Sequence, residues 1–326
     1  MIIHNFFKFK ILRSKKYISL FLFLLFLVQC NKSIDLNETV YKSLNKTWEK
    51  DGIKGRAKQK TVTYYSVTNQ INEEIKIVCK SSTKYNAKGN QIEFLIYLSN
   101  STIYKKTIYT YDKYDNLIEE TEYIEDNNRY NKKILYKFYE NPIAIKSFEY
   151  NSENKLERET QYIFNSQDIL IEILIMDKNR DYSYKETFRY GDNNDKIEWI
   201  TFEPKDKMKK KETYIYDNNH KLLESRFFDK DNNPTYRHVF RYDKNENLIE
   251  DIYYKVDDYH SRYLLKYNQK GILFEYIHYD SNSKFDFKNN IFLDEIGNYK
   301  KSLTYKEDKN GENILQGYYQ YGFEYF

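Results

Sequence analysis

Lys211-Glu-Thr-Tyr214-Ile-Tyr216-Asp217-Asn-Asn-His-Lys221-Leu222-Leu-Glu224-Ser-Arg-Phe-Phe228-Asp229-Lys-Asp-Asn-Asn233-Pro234 is the stretch that decides the fold. Residues 211–216 alternate with period two and are rich in aromatic and β-branched side chains, which predicts a strand. Asp217 to Lys221 is turn chemistry, because Asp and Asn tolerate unusual φ/ψ and bond back to nearby backbone. Leu222 to Phe228 reads as a second strand and Asp229 to Pro234 as a second turn. Such a unit is two short strands and two turns, with no room for a helix.

The unit recurs along most of the chain. Its marker is a pair of residues two apart: Tyr109/Tyr111, Tyr136/Phe138, Tyr162/Phe164, Phe188/Tyr190, Tyr214/Tyr216, Phe240/Tyr242 and Leu265/Tyr267. The steps between them are 27, 26, 26, 26, 26 and 25 residues, and weaker copies stand at Thr83/Tyr85 and Ile291/Leu293. A fixed period of this size marks a repeat architecture in which each unit buries its apolar face against its neighbours. The expected fold is all-β, an antiparallel meander of about 8–9 repeats of about 26 residues, or roughly 16–19 strands, forming a curved or rolled sheet. A sheet that wide, about 75–90 Å at the usual strand spacing, tends to curl, split or flatten. Curling would bury the aromatic row; a flat sheet would leave it exposed as an interaction surface.

Charged residues repeat in phase with the aromatics. Pairs about 13 apart run Glu93/Lys106, Glu119/Lys133, Lys146/Glu159, Glu172/Lys185, Glu198/Lys211, Glu224/Arg237, Glu250/Arg262 and Glu275/Lys288. In one unit both signs reverse together, at Lys146 and Glu159. A joint reversal keeps an attraction that a single reversal would lose. The expectation is therefore a ladder of structural cross-strand ion pairs between opposite positions, each worth about 0.2–1 kcal/mol, and not a row of catalytic carboxylates.

Tyr109-Thr-Tyr111-Asp112-Lys-Tyr-Asp-Asn116-Leu-Ile-Glu119 and Phe240-Arg-Tyr242-Asp243-Lys-Asn-Glu-Asn247-Leu-Ile-Glu250 resemble the YD repeat, the tyrosine-aspartate unit of the RHS family. Tyr216-Asp217 matches the core dipeptide, whereas Phe164-Asn165, Tyr190-Gly191 and Tyr267-Asn268 depart from it. The resemblance spans roughly residues 60–320 and implies a chain of β-hairpins winding into a curved sheet. Large RHS proteins use a closed shell to enclose a C-terminal toxin. Here the repeats run almost to Phe326, so no enclosed toxin is expected, and the longer unit counts against a closed shell.

The N-terminal residues supply an address. Five bases (Lys8, Lys10, Arg13, Lys15 and Lys16) precede an apolar run from Tyr17 to Val28, which has the length of a signal-peptide core and is too short to span a bilayer. Leu27-Val28-Gln29-Cys30 resembles a bacterial lipobox, with Gln29 departing from the usual small residue. The expected organisation is a signal peptide over 1–29, a polar tether over 30–55 beginning at a lipidated Cys30, and one repeat domain over 56–326. Asn31 and Lys32 lack the Asp that retains lipoproteins at the inner membrane, so the expected site is the outer membrane of a bacterial envelope. Removing the leader takes five of the 53 Lys+Arg and none of the 49 Asp+Glu, so the domain is close to neutral and no nucleic-acid partner is expected.

Candidate chemistry is sparse. Cys79, in Ile75-Lys-Ile-Val-Cys79, is expected as a buried thiol, and with Cys30 lipidated it has no disulfide partner. His238, between Tyr236 and Phe240, is expected to pack on the aromatic face. Asp229 to Asn233 begins like a calcium loop but has Pro234 at its sixth position and Phe240 at its twelfth, so a plain turn is expected. No metal site and no cofactor are expected. The function expected is a non-enzymatic lipoprotein binding a protein or glycan through an extended repeat surface, for which an exposed tyrosine row would be the mark. The alternatives are a toxin-neutralising lipoprotein and an envelope hydrolase.

Overall fold

The computed structural model describes residues 53–69, 74–125, 129–140, 143–179, 182–308 and 310–326. Cys30, the leader and all but the end of the tether lie outside the described residues. The described chain is all-β, twenty strands and one 3-10 turn: β1 (Ala57–Asn69), β2 (Glu74–Tyr85), β3 (Gln91–Tyr97), β4 (Ile103–Tyr111), β5 (Leu117–Ile124), β6 (Lys132–Glu140), β7 (Ile143–Asn151), β8 (Leu156–Phe164), β9 (Leu170–Asp177), β10 (Tyr182–Tyr190), β11 (Lys196–Glu203), the turn Pro204–Asp206, β12 (Lys207–Tyr216), β13 (Leu222–Phe228), β14 (Pro234–Tyr242), β15 (Leu248–Lys255), β16 (Asp258–Tyr267), β17 (Leu273–Tyr279), β18 (Phe285–Leu293), β19 (Tyr299–Glu307) and β20 (Asn313–Tyr325). Every strand pairs antiparallel with the next, and β1 pairs with both β2 and β20. The meander is thus a closed barrel. Twenty strands exceed the expected sixteen to nineteen because the seam strands, β1 and β20, lie outside the series of marker pairs, which runs from β2 to β18. Closure removes the free edges that a long open sheet would expose.

At the seam the rings of Tyr64 and Tyr319, and those of Tyr65 and Tyr318, stack with centroids 4.6 Å apart. Gly317 faces the same strand; a Cβ there would lie 2.5 Å from the Tyr65 carbonyl oxygen, so only glycine lets β20 approach. Both described chain ends meet at one rim. Ile53 is buried with Ala57 and Tyr85, and Lys54 donates its backbone N–H to Asn298 Oδ1 at 2.5 Å. The last residues assigned to the tether therefore touch the barrel wall.

At this rim most markers lead into a five-residue turn whose first residue has a defined task. Asp217 Oδ1 accepts the backbone N–H of Asn219 at 2.8 Å and of Lys221 at 2.9 Å. Asp243 does the same for Asn245 and Asn247, both at 2.9 Å. The fourth residue takes a left-handed backbone, φ 64° at His220 and 70° at Glu246. Asp or Asn at the first place satisfies two amides that the turn would otherwise leave unpaired. Asp229 uses the same geometry at the opposite rim, bonding the amides of Asp231 and Asn233.

The tyrosine before each such turn ties one unit to the unit before it. The hydroxyls of Tyr111, Tyr190, Tyr216 and Tyr242 donate to the carbonyls of Gln91, Leu170, Lys196 and Leu222, at 2.7, 2.8, 2.9 and 2.8 Å. Each carbonyl lies 20 residues earlier, at the start of the preceding strand. Where the second marker is Phe138, Phe164 or Leu293, there is no hydroxyl to make this bond.

Candidate functional site

Alternation along the strands sorts the side chains onto two faces. The marker residues lie on the inner face, where Tyr109, Leu117, Tyr136, Ile145, Tyr162 and Phe164 form one buried cluster with Phe94, Tyr111 and Phe138 packed against it. Tyr136 donates its hydroxyl to Glu120 Oε1 at 2.7 Å. Burial pushes the Tyr136 phenol well up and that of Tyr162 to about 12. Of the later markers, Phe240 and Leu265 are buried, while Phe188, Tyr190, Tyr214, Tyr216, Tyr242 and Tyr267 are half-buried. The tyrosine row is therefore turned inward, and the exposed row that would have marked an extended outer binding surface is not what the barrel presents.

The charged pairs lie on the outer face. Distances are 3.6 Å for Glu93–Lys106, 3.9 Å for Glu119–Lys133, 3.2 Å for Lys146–Glu159, 3.6 Å for Glu224–Arg237 and 3.4 Å for Glu250–Arg262. The partners are diagonal, not directly opposed as the spacing suggested. Lys133 stands opposite Thr121, Glu159 opposite Phe148 and Arg262 opposite Ile252. In three units the pair is exchanged for another contact: Lys185 meets Asp206 at 2.5 Å, Glu198 meets Arg189 at 3.3 Å and Glu275 meets Lys266 at 2.6 Å.

The residue directly opposite each base is one that the spacing argument passed over. Lys185, Lys211, Arg237, Arg262 and Lys288 lie over the rings of Phe202, Phe228, Tyr254, Tyr279 and Tyr305, at 4.8, 4.5, 4.4, 4.7 and 5.7 Å. A cation over an aromatic face gains about 0.5–1 kcal/mol at an exposed site. The signal was in the sequence: an aromatic residue stands 17 positions after every base, and Met176 stands there after Glu159, in the one reversed unit.

Charges also sit on the inner face, at Glu120, Glu186, Lys210, Glu212 and Asp251. A lysine or arginine facing lipid at mid-membrane costs about 2–4 kcal/mol. With charged side chains in mid-strand on both faces, neither surface of this barrel is built to face hydrocarbon.

The inner face changes character between β11 and β16. Most of its aromatics there are half-buried, Phe240 is buried and Tyr236 is 39% exposed. The Tyr253 ring stacks on Tyr236 with centroids 5.3 Å apart and lies 4.8 Å from that of His238. His238 packs on Phe240 as expected, and its Nδ1 is 3.1 Å from a carboxylate oxygen of the buried Asp251. On β11, the Trp199 ring is flanked by Lys196 at 5.6 Å and Lys210 at 4.1 Å. Burial lowers the Lys196 pKa and raises that of Glu212 beside it. The Trp199 indole N–H is shielded from solvent and has no hydrogen-bond partner among the described residues.

These groups border a cavity of about 260 Å³ at the rim opposite the chain ends, lined by Trp199, Lys210, Lys211, Glu212, Phe227, Phe228, Asp229, Thr235 and Tyr236. It exists because β12 continues past the end of β13: Lys211 pairs with Phe228, and Lys207 to Lys210 stand beyond it, above the β13–β14 turn. Four aromatic rings with a few charged groups suit a ligand that has both an apolar face and polar substituents.

Cys79 is a correction. It is exposed, because β3 ends opposite Lys80 and leaves residues 74–79 of β2 uncovered on that side.

No protein-family model and no curated protein matches the chain. Among solved structures it is similar to a porin-like protein from Bacteroides uniformis ATCC 8492, at TM-score 0.38 and 9% identity over 82% of this chain and 98% of that one. A porin-like protein from Bacteroides vulgatus ATCC 8482 gives TM-score 0.28 and 12% identity over 83% and 98%. The TcdB2-TccC3-Cdc42 complex gives TM-score 0.29 and 11% identity over 79% of this chain and 20% of the other. At these scores no residue role or activity carries across. What fold and site define is a class: a closed antiparallel barrel of tyrosine-rich hairpin repeats, with part of its inner wall open.

Proposed function

We propose that this protein is a non-catalytic binding module of the bacterial envelope, held to the membrane by a lipid on Cys30, whose ligand is a glycan seated on the open part of the inner wall. The observation that carries this reading is the exposure of Tyr236 and the partial exposure of Trp199 and Tyr253, which stand together on the inner face next to the rim cavity. Aromatic rings left half-bare inside a barrel offer flat apolar faces to a sugar ring, and nearby polar groups can take its hydroxyls. The Glu row supports a structural role, since its members lie on the outer face against bases. We read the hairpin unit as YD-like, because its Tyr and Asp have separate bonding tasks at the same turn.

The test is binding of the full chain, in detergent, to a panel of oligosaccharides, with each sugar checked by mass spectrometry afterwards. Binding without change of the sugar, weakened about tenfold or more by Tyr253→Ala, supports the reading. No binding to any sugar overturns it, and cleavage of a bound sugar overturns its non-catalytic part.

A further inference from the structure

Resting on that reading, we propose that the rim cavity beside Trp199 takes an acidic sugar unit, with the lysines of the β11–β12 hairpin supplying its counter-charge. Five lysines fall within seven residues here, at 205, 207, 209, 210 and 211. The hairpin's own acids are engaged elsewhere: Glu203 meets Lys209 at 3.3 Å, and Asp206 meets Lys185 at 2.5 Å. Lys205, Lys207, Lys210 and Lys211 form no salt bridge among the described residues. Lys205, Lys207 and Lys210 are exposed.

The outer ladder breaks at this spot. The spacing pairs Lys211 with Glu198, but Glu198 meets Arg189 instead, which leaves Lys211 with only the ring contact that the other bases also make, to Phe228 at the cavity's edge. Of the two carboxylates at the cavity, Asp229 bonds the amides of Asp231 and Asn233 in its own turn, and burial raises the Glu212 pKa against the opposing charge of Lys196, so both are engaged within the protein. The charged groups at the cavity without a carboxylate partner among the described residues are Lys210 and Lys211, with Lys207 next to them. The rings of Trp199, Phe227 and Tyr236 supply apolar faces, and about 260 Å³ holds one sugar unit with its chain leaving over the rim. Carboxylate and sulfate substituents share the chemistry that these cations recognise.

The experiment is calorimetric titration of the full chain in detergent with a galacturonate trimer, a sulfated heparin trisaccharide and neutral maltotriose. The wild type is compared with Lys210→Gln/Lys211→Gln and with Lys270→Gln, a lysine in a turn at the opposite rim. The expected result is at least tenfold tighter binding of one or both acidic trimers than of maltotriose. That preference should be lost in the double variant, kept in Lys270→Gln, and weakened by raising salt from 50 to 500 mM. The two acidic probes decide between carboxylate and sulfate. Equal binding of maltotriose and the acidic trimers, unchanged in the double variant, overturns the inference and leaves the glycan-binding reading standing. No binding of any of the three overturns the inference, and the wider panel then decides the reading itself. Identical circular dichroism of variant and wild type excludes misfolding as the cause of a loss.

Discussion

The inner wall of the barrel is one repeat read twice with different results. From β4 to β9 the inward residues form a dry cluster in which Ile145 is wholly buried and Tyr109, Tyr136 and Tyr162 are nearly so. From β11 to β16 the same backbone geometry carries Trp199, Lys210, Glu212, His238 and Tyr253, and the wall is half open. The hairpin unit and its Asp or Asn turns recur in both arcs, and the second differs chiefly in its inward side chains, with β12 outrunning β13 and Glu198 paired to Arg189 in place of Lys211. A repeat fold can thus keep its frame constant and vary one face, and the arc that gives up burial is the one free to bind.

The sharpest way to break this comparison is to remove a large side chain from each arc. Ile145→Ala should cost about 2–5 kcal/mol, because it leaves a cavity among packed neighbours that cannot fill it. Tyr253→Ala should cost about 1–2 kcal/mol, since part of that ring is already in water, while reducing sugar binding. Urea unfolding monitored by circular dichroism measures both. Equal losses would mean that the second arc is core like the first.

The outer face should behave alike around the barrel. Glu159 is 5% exposed, lies against Lys146 and accepts from Gln161 Nε2 at 3.0 Å. Glu159→Lys opposes two cations in a confined place and should cost about 2–3 kcal/mol. Adding Lys146→Glu restores opposite signs and should recover at least half of that. A double variant no more stable than the single one would show that the reversed pair does not set register.

How far the sequence could be read follows from these elements. Strand, turn and period were legible because each depends on residues close together: alternation for the strand, Asp or Asn for the first turn position. The joint reversal at Lys146 and Glu159 also showed that the two rows are coupled. It could not show that the coupling is diagonal, because a spacing of about 13 fits both arrangements until the register is known. The aromatic partner of each base stands 17 positions on and was as visible as the glutamate. Its role is masked in the sequence because an aromatic residue in a strand already has an explanation as core. Closure was not legible, since it is made by β1 and β20, which pair with one another but resemble no repeat. Nor was the site, which depends on β12 outrunning β13. Cys79 departs from expectation for a similar reason: an apolar strand is buried only where a neighbour covers it.

Smaller effects should come from the bonds that join the units. Tyr216→Phe keeps the ring and removes the hydroxyl that reaches Lys196 O, leaving a carbonyl without that partner. The expected loss is about 1 kcal/mol, with the same for Tyr242→Phe. Phe164→Ala would lose packing in the dry arc but no such bond. Hydrogen exchange should show local opening near residues 191–196 in Tyr216→Phe and near 217–222 in Tyr242→Phe. Global loss without local opening would mean that the hydroxyl acts only through packing.

Past the open arc, Asp286 bonds His278 Nδ1 at 3.0 Å and Lys306 Nζ at 2.6 Å. The hydrogen bond from His278 is the largest influence, followed by the opposing effect of burial and the bond from Lys306, and together they lower its carboxyl to about 2. A folded pKa below the unfolded value stabilises the native state above about pH 4, and that stability is lost as pH falls toward 2. The side chain is 34% exposed, so solvent screening reduces the contribution to about 1 kcal/mol or less. Asp286→Asn should therefore flatten the fall in stability between pH 4 and pH 2, with little change in its shape above pH 5. An unchanged acid limb would place the acid-sensitive groups elsewhere.

The smallest effect concerns a third way for a wall to be open, the end of a neighbouring strand. Cys79 is exposed past the end of β3, yet the bulk of the strands beside it raises its thiol pKa, a rise only partly opposed by a backbone hydrogen bond at Tyr64. These two facts give a definite labelling behaviour. A maleimide should react with Cys79 completely in the folded full chain without denaturant, because the sulfur is accessible. It should react more slowly at pH 7 than a free cysteine does, because less thiolate is present, and the rate should still be rising beyond pH 9. Cys79→Ser should change stability by less than about 0.5 kcal/mol, as a surface substitution does. A buried thiol in the style of the dry arc would label only on unfolding, and the serine variant would then cost far more.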